Sequence, residues 1–350
     1  MRRLIFRFAV AIVLLLLLAL PPASLAAKRV VWAYQGKAAF FEENGRIGLV
    51  TKGMGTLTTV APLLDEVTPF YSGIANVRQD NLWGLLSQEG VYLRHPFAAA
   101  PIEFSPFDNQ YGFFQLERGS YGLLNRGGEI ILEPIAYLEV GPVSEGVFAA
   151  KTEQGYGYIT VEGQTAVGFQ YDAALPFTEG AAAVRKEGLW GYIDHRGQMV
   201  LGFGYVEASH FSRGLAAVRV SPEASTVYIN PQGEVVLSGN WDAGYPFTGD
   251  GLARVTVEGK YGYINLKGRL VIDARYRDAG DFGNGFAAVR AGETGWQYID
   301  GKGKVISKTF LSAGPFRDGF AYVTYQADAR ESPVTGYINT GRKFVCQELN

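Results

Sequence analysis

Short runs in which apolar and polar residues alternate recur along the chain, and glycine or an Asx-type turn residue bounds each run. Examples are residues 191–194, 198–201 and 215–220. An alternation of period two between turn residues is typical of half-buried β-strands. After Leu20 the sequence has no amphipathic stretch of helical period. The pattern therefore predicts an all-β chain of short antiparallel strands.

One block recurs along the chain and consists of an aromatic residue, a glycine, two residues such as Tyr-Ile, and a second glycine four residues later. Its regular copies begin Trp83-Gly84, Tyr121-Gly122, Tyr156-Gly157, Trp190-Gly191 and Tyr261-Gly262, and Trp296 opens a degenerate copy. The equivalent positions are 48, 84, 122, 157, 191, 227, 262, 297 and 336, spaced 34 to 39 residues apart. The eight intervals between these nine positions indicate tandem repeats of about 36 residues.

A second block, Phe-x-x-Gly-x-Ala-x-Val, recurs in phase with the first. Its regular copies span 70–77, 177–184, 211–218, 282–289 and 316–323, and looser copies start at Phe107, Val143 and Phe247. An aromatic residue often stands six positions before the phenylalanine, and proline often directly precedes it. Each unit is therefore predicted to hold three short antiparallel strands, with the segment from the aromatic residue to the phenylalanine as a connector or a fourth strand.

The two blocks together resemble the WG (or KWG) repeat family of bacterial exported proteins, and the resemblance covers essentially all of residues 27–350. Residues 179–197 come nearest to the family pattern. Thr226-Val227 and Trp296-Gln297 lack the family's glycine, and the first unit lacks the Phe-x-x-Gly block. The resemblance implies an architecture and no catalytic residues.

A meander of three strands cannot bury both of its faces, so the units must pack on one another. Four strands in each unit favour a propeller-like closed ring, because radial packing hides the sheet edges. Propellers typically have four to eight blades, and about nine units strain that number. An open curved β-solenoid, which accommodates any number of units, remains the alternative.

Composition and charge exclude several classes of partner, metal site and cofactor. The 350 residues include 45 glycines, and a formal net charge of -2 gives no electrostatic footprint for nucleic acid. Cys346 is the only cysteine, which excludes an intrachain disulfide framework and any multi-thiolate metal site. The three histidines lie in different units without paired metal-ligand spacing, and no cofactor motif is present. We therefore expect no metal, no cofactor and no nucleic acid.

The N-terminal segment has the order of a secretory signal peptide. Three arginines precede an uncharged run from Phe8 to Leu20, and the small-residue pattern Ser24-Leu25-Ala26 follows. Cleavage after Ala26 would leave 29 basic and 34 acidic residues. We expect residues 1–26 to be removed and residues 27–350 to be periplasmic or extracellular without spanning a membrane. An uncleaved N-terminal anchor is the alternative.

Two sets of repeated side chains have a structural and a functional interpretation. The aromatic residues of the first block could stack on sugar rings, or they could fill gaps between units while the glycine lets a neighbouring backbone approach. The Asp or Asn after Tyr-Ile could form a polar ring, or it could hold the turn that ends at glycine. This second set comprises Asp194, Asn230, Asn265, Asp300 and Asn339.

A basic residue follows the Ala-x-Val block in five units, at Arg78, Lys151, Arg185, Arg219 and Arg290. Regular packing would set these side chains in a row, where cations of one sign create a local positive field. Thr256 and Thr324 hold the place in two other units, so folding does not require a cation there. The row is a candidate binding site for an anionic polymer or an acidic protein surface. Pairing of each cation with a neighbouring carboxylate is the structural alternative.

These observations predict a non-enzymatic exported binding module that presents its repeat surface to an envelope protein or glycan. A secreted glycan hydrolase or lyase is one alternative, because carboxylates of different units, such as Glu103, Asp108 or Asp250, could meet in one pocket. A purely structural envelope protein is the other. Function is expected where the repeats disagree, at residues 97–110, 220–226 and 325–335.

Overall fold

The computed structural model describes residues 29–34, 38–52, 57–68, 70–293, 295–317, 319–326, 333–341 and 344–348. Within these ranges the chain forms strands and turns and no helix, which confirms the all-β prediction. None of the described segments is a helix long and apolar enough to cross a membrane. The expected signal peptide, residues 1–26, lies outside the described residues.

Consecutive strands pair as nine small antiparallel sheets, here called blades 1 to 9 in chain order. Blades 1 to 3 are β1 (Arg29–Tyr34), β2 (Ala38–Glu43), β3 (Arg46–Lys52) and β4 (Leu57–Leu64); β5 (Glu66–Val67), β6 (Ile74–Gln79), β7 (Leu82–Ser87) and β8 (Tyr92–Ala98); β9 (Glu103–Phe104), β10 (Tyr111–Gln115), β11 (Ser120–Asn125) and β12 (Ile130–Ala136). Blades 4 to 6 are β13 (Glu139–Val140), β14 (Val147–Thr152), β15 (Gly155–Thr160) and β16 (Thr165–Tyr171); β17 (Ala173–Ala174), β18 (Ala182–Lys186), β19 (Leu189–Ile193) and β20 (Met199–Tyr205); β21 (Glu207–Ala208), β22 (Ala216–Arg219), β23 (Val227–Ile229) and β24 (Val235–Ser238). Blades 7 to 9 are β25 (Ala243–Gly244), β26 (Leu252–Val257), β27 (Lys260–Asn265) and β28 (Leu270–Tyr276); β29 (Asp278–Ala279), β30 (Phe286–Arg290) and β31 (Gln297–Asp300); β32 (Ser312–Ala313), β33 (Phe320–Tyr325), β34 (Val334–Asn339) and β35 (Phe344–Glu348).

The nine blades form a closed ring, and the fold is a nine-bladed β-propeller. Strand β1 lies beside β35, so the first and last blades are neighbours. Phe40 and Leu49 of blade 1 share one buried cluster with Tyr337 of blade 9. The open solenoid considered as an alternative is therefore wrong, because its two end units would not pack on each other.

Within a blade the fourth strand is the most exposed. No residue of β20 is buried, whereas Ala182, Ala183 and Val184 of β18 are fully buried. The predicted connector from Tyr171 to Phe177 contains β17, a first strand of two residues paired with β18. Eight of the nine blades therefore have four strands, and three are described in blade 8.

Glycine in the first block permits a close approach within the blade. A Cβ atom at Gly191 would lie 2.8 Å from the Leu201 carbonyl oxygen and 3.1 Å from the Gly202 carbonyl carbon. Both belong to β20, which pairs with β19 through an irregular register. The approaching backbone is thus the fourth strand of the same blade, whereas the sequence pattern suggested a neighbouring unit.

A tyrosine two residues after the aromatic position joins each of five blades to the next. These tyrosines are fully buried, and each hydroxyl donates a hydrogen bond to a backbone carbonyl in or just after the first strand of the following blade. The pairs are Tyr158 with Leu175, Tyr192 with Ser209, Tyr228 with Tyr245, Tyr263 with Gly280 and Tyr298 with Gly314, at 2.6 to 2.9 Å. Each ring also packs on the second-block phenylalanine of that next blade, as Tyr192 does on Phe211 at 4.8 Å between centroids.

Candidate binding surfaces

The basic residues of the predicted row stand at or near the end of the second strand, and four of them lie against a carboxylate of the first strand. The carboxylate precedes the cation by twelve residues and is its direct cross-strand neighbour. The ion pairs are Arg78 with Glu66 at 3.0 Å, Lys151 with Glu139 at 3.3 Å, Arg219 with Glu207, and Arg290 with Asp278. Opposite charges at directly facing positions stabilise an antiparallel pair modestly, by about 0.2–1 kcal/mol.

Four of the five cations also lie over the aromatic residue of the first block. The distances from the cationic centre to the ring centroid are 5.7 Å for Arg78 and Trp83, 5.2 Å for Lys151 and Tyr156, 5.7 Å for Arg185 and Trp190, and 5.5 Å for Arg290 and Trp296. Such contacts are within the range of cation–π attraction. Blades 2, 4 and 8 thus contain a triad, defined here as a first-strand carboxylate, a second-strand cation and the aromatic ring of the first block.

The triad of blade 4 is tightly connected. The Tyr156 hydroxyl donates a hydrogen bond to Glu139, whose other carboxylate oxygen contacts Lys151. These bonds to Tyr156 and Lys151 lower the pKa of Glu139. Burial, followed by Glu139, raises the pKa of Tyr156 to about 12. The cation of this blade is therefore neutralised within the chain.

Blade 5 has the cation and the aromatic ring but lacks the carboxylate. Ala173 occupies the position opposite Arg185, where blades 2, 4, 6 and 8 have Glu or Asp. Within the described ranges the Arg185 guanidinium has no hydrogen-bond or ion-pair partner. Its Nε atom is buried without one, as are those of Arg78, Arg219 and Arg290, so the missing ion pair is what distinguishes Arg185. In blade 9 the same two places hold Ser312 and Thr324, whose hydroxyls bond to each other at 2.8 Å. The binding role predicted for the five cations stays a prediction, but their surroundings differ sharply.

The Asp and Asn residues after Tyr-Ile hold turns, as the structural interpretation predicted. One side-chain oxygen of Asp194 accepts hydrogen bonds from the backbone nitrogens of Arg196 at 2.9 Å and Gln198 at 2.8 Å. The same two bonds recur at Asn230, Asn265 and Asp300. In these four residues the side-chain oxygen already accepts the hydrogen bonds of the turn, so these side chains are used by the fold and not by a polar binding ring.

Acidic and amide residues between the first and second strands link neighbouring turns around the ring. Asp250 accepts a hydrogen bond from the Gly285 nitrogen at 3.1 Å, and Glu179 accepts one from the Gly214 nitrogen at 2.9 Å. Asp108, another carboxylate considered for glycan hydrolysis, accepts from the Gln110 nitrogen of its own turn at 3.0 Å. Glu103 is exposed at the start of β9. No cluster of metal ligands occurs among the described residues.

The sequence analysis missed a contact that crosses the ring. The turn of blade 3 from Ser105 to Tyr111 is three residues longer than its counterpart from Ser144 to Val147. Phe107 in this longer turn meets the ring of His210 of blade 6 edge-on, with 5.7 Å between centroids. Blades 3 and 6 are not neighbours, so the two rings meet at the axis of the propeller.

The residues at and around His210 also differ from those at the equivalent positions of other units. His210 and Asp281 stand directly before the second-block phenylalanine, where proline stands in six other units, at Pro69, Pro106, Pro142, Pro176, Pro246 and Pro315. Asp281 pairs with Arg254 at 3.3 Å, and Arg254 lies 3.9 Å from the Tyr245 ring centroid. Burial lowers the pKa of His210, and Asp281 and Glu179 oppose that shift. A comparison of the residues before each phenylalanine would have revealed these two exceptions.

The chain was compared with known protein families, curated proteins and solved structures. A family model described as "WG containing repeat" matches residues 58–83, 121–154, 156–190, 190–221, 228–261, 261–293 and 296–325. No curated protein sequence matches the chain. A crystal structure of a eukaryotic initiation factor is similar in fold, with a TM-score of 0.57 and 11% identity over 89% of this chain and 96% of that one. BamB from Moraxella catarrhalis is similar with a TM-score of 0.50 and 11% identity over 74% of this chain and 92% of that one.

Proposed function

The chain belongs to the family of WG-containing repeat proteins, and on that basis we propose that its ring is an exported, non-enzymatic binding scaffold. It presents the axial end formed by the turns between first and second strands to a protein or glycan of the cell envelope. The export step rests on the basic, apolar and small segments of residues 1–26, which have the order of a signal peptide.

The polar side chains of the repeats support a scaffold, because the fold itself uses them. Asp194 and its equivalents hold turns, Asp250 and Glu179 link blades, and four of the five row cations face carboxylates. Groups used in this way supply rigidity, and a rigid ring is a good support for variable loops.

The single observation that carries the proposal is the meeting of Phe107 and His210 at the axis. Phe107 is 40% exposed although it is a large apolar residue. It belongs to the turn of blade 3 that is three residues longer than its counterpart in blade 4. An exposed aromatic side chain at the centre of a surface, in contact with a residue three blades away, has the character of an interface anchor.

The test uses residues 27–350 as bait on envelope extract. Phe107→Ser should lose the retained partner, while Phe203→Ser, which removes a similarly exposed ring from the fourth strand of blade 5, should keep it. Equal retention by both variants would contradict the axial site. Release of sugar products from envelope glycan by the parent protein would contradict the non-enzymatic role.

A further inference from the structure

Arg185 stands where four other blades hold a neutralised cation, and it is the member of the predicted row without a carboxylate in the described chain. Its cross-strand neighbours are Ala173 on one side and Trp190 on the other. The place that carries a carboxylate in blades 2, 4, 6 and 8 therefore carries a methyl group in blade 5.

The nearby carboxylate of Asp172 does not replace the missing partner. Asp172 accepts a hydrogen bond from the Gly188 nitrogen at 3.2 Å, and thereby holds the turn between the second and third strands. Asp65 of blade 2 does the same for the turn at Asp80, yet that blade also has Glu66 beside Arg78. The turn-holding carboxylate and the cation's partner are thus separate groups in this fold.

The remaining surroundings of Arg185 are aromatic. Trp190 lies 5.7 Å from the guanidinium carbon, and the charge of Arg185 also acts on the phenol of Tyr156 in blade 4. The Tyr156 hydroxyl is already bonded to Glu139. The charge of Arg185 is therefore not neutralised by a carboxylate of the described chain. Its aromatic neighbours also reduce the screening of that charge by water.

We infer that the Arg185–Trp190 corner of blade 5 binds a carboxylate from outside the chain, supplied by a glutamate or aspartate side chain of a partner protein. The fold itself identifies the ligand chemistry, because each of the four equivalent cations forms an ion pair with one carboxylate group. A guanidinium offers two parallel N–H donors that match the two oxygens of a carboxylate.

A protein side chain fits the corner better than an acidic sugar. The internal carboxylates reach their cations on the short, flexible stems of Glu66, Glu139, Glu207 and Asp278. A uronic acid carries its carboxylate directly on the sugar ring, so the ring itself would have to enter beside Trp190. Arg185 lies near the C-terminal end of β18, and the turn at Thr178–Ala181 lies at the opposite end of that strand. Phe107 belongs to the turn of blade 3 that is equivalent to Thr178–Ala181. The Arg185 site is therefore separate from the axial surface and does not depend on the proposed function.

The test measures binding of an N-acetylated hexaglutamate peptide to residues 27–350 by calorimetry. Arg185→Gln should weaken binding by about tenfold or more, because it removes a charge-assisted contact. The control is Arg277→Gln, since that arginine lies outside the row and already pairs with Glu293 at 2.8 Å. This control should bind as the parent does.

Two further variants keep the inference open to refutation if Arg185→Gln changes the fold. Ala173→Glu should abolish binding by supplying the missing internal carboxylate, and should raise the melting temperature or leave it unchanged. Asp278→Ala should open an equivalent corner in blade 8 and raise the stoichiometry from one peptide to two. Peptide binding that is the same in Ala173→Glu and in the parent would overturn the inference. Arg185-dependent binding of oligogalacturonate but not of the peptide would overturn the protein partner.

Discussion

The hydroxyl of Tyr192 in blade 5 donates a 2.8 Å hydrogen bond to the backbone carbonyl of Ser209 in blade 6. The phenol is fully buried, so the bond and the ring contact with Phe211 both lie in the interface between the two blades. Replacing this tyrosine tests the interface directly.

Tyr192→Phe should lower the free energy of unfolding by about 1–2 kcal/mol, because a buried carbonyl loses its donor while the ring stays in place. Tyr205→Phe is the control, since the hydroxyl of Tyr205 makes no hydrogen bond within the described chain. Chemical denaturation of both variants measures the difference. If the two variants unfold at the same denaturant concentration, the Tyr192 bond contributes nothing measurable.

Gly191→Val should destabilise the ring by about 1–3 kcal/mol or more, because the new side chain meets the Leu201 carbonyl oxygen. Gly202→Ala is the matched control on the adjoining strand, where a Cβ atom would meet nothing within 4 Å. Thermal unfolding of the two variants compares them. An unchanged melting temperature for Gly191→Val would contradict the close approach of β20.

Stability should fall at alkaline pH because of the buried tyrosines. Burial raises the pKa of Tyr158, Tyr192, Tyr228, Tyr263 and Tyr298 above the ordinary value of about 10. The unfolded chain releases these protons first, so the stability present below about pH 10 decreases as the pH rises further. Melting temperatures from neutral to alkaline pH measure the slope, and Tyr192→Phe should make it shallower. A slope that is the same in Tyr192→Phe and in the parent would contradict the role of this phenol.

Stability should also fall at acidic pH through His210. Its pKa is lowered mainly by burial, while the carboxylates of Asp281 and Glu179 act in the opposite direction. The contribution is present above the unfolded pKa of about 6.5 and is lost as the pH falls toward the folded value. His210→Gln should reduce the loss of melting temperature between neutral and mildly acidic pH. An identical loss in variant and parent would assign it to other groups.

The export step has its own test. Expression of the full chain with its N-terminal segment in a bacterial host should give a mature protein that begins at Ala27 and is recovered from the periplasm or medium. Mass spectrometry of the intact protein determines the N-terminus. A product that keeps Arg2 and stays with the membrane fraction would favour the uncleaved anchor.

The features of this structure that could be predicted from the sequence are those that local patterns of residues encode. Trp190, Gly191 and their equivalents fixed the period and the strands, because alternation and turn residues act over a few positions. The closed ring, which was favoured because radial packing hides the sheet edges, is confirmed. The preference was slight, since a 36-residue unit with two apolar faces can also pack in a row. The decisive contact, Tyr337 with the first blade, spans almost the whole chain.

The candidate sites also include one that spacing along the chain encodes and one that it does not. The twelve-residue spacing of Glu66 and Arg78, repeated in three further units, was present in the sequence and would have identified the ion pairs and the exception at Ala173. The contact of Phe107 with His210 depends on the radius of the ring and on a three-residue insertion. No spacing along the chain encodes that distance.

Closure of the ring changes how the protein should come apart. A row of repeats has two end units that fray first and unfold in succession. Here the first blade shares a buried cluster with the last, and the tyrosine of one blade is bonded to the next. With no end unit to fray, opening any single interface exposes the cores on both sides of it. We therefore expect hydrogen exchange of the second and third strands to occur in one cooperative step, with similar protection in blade 1 and blade 5.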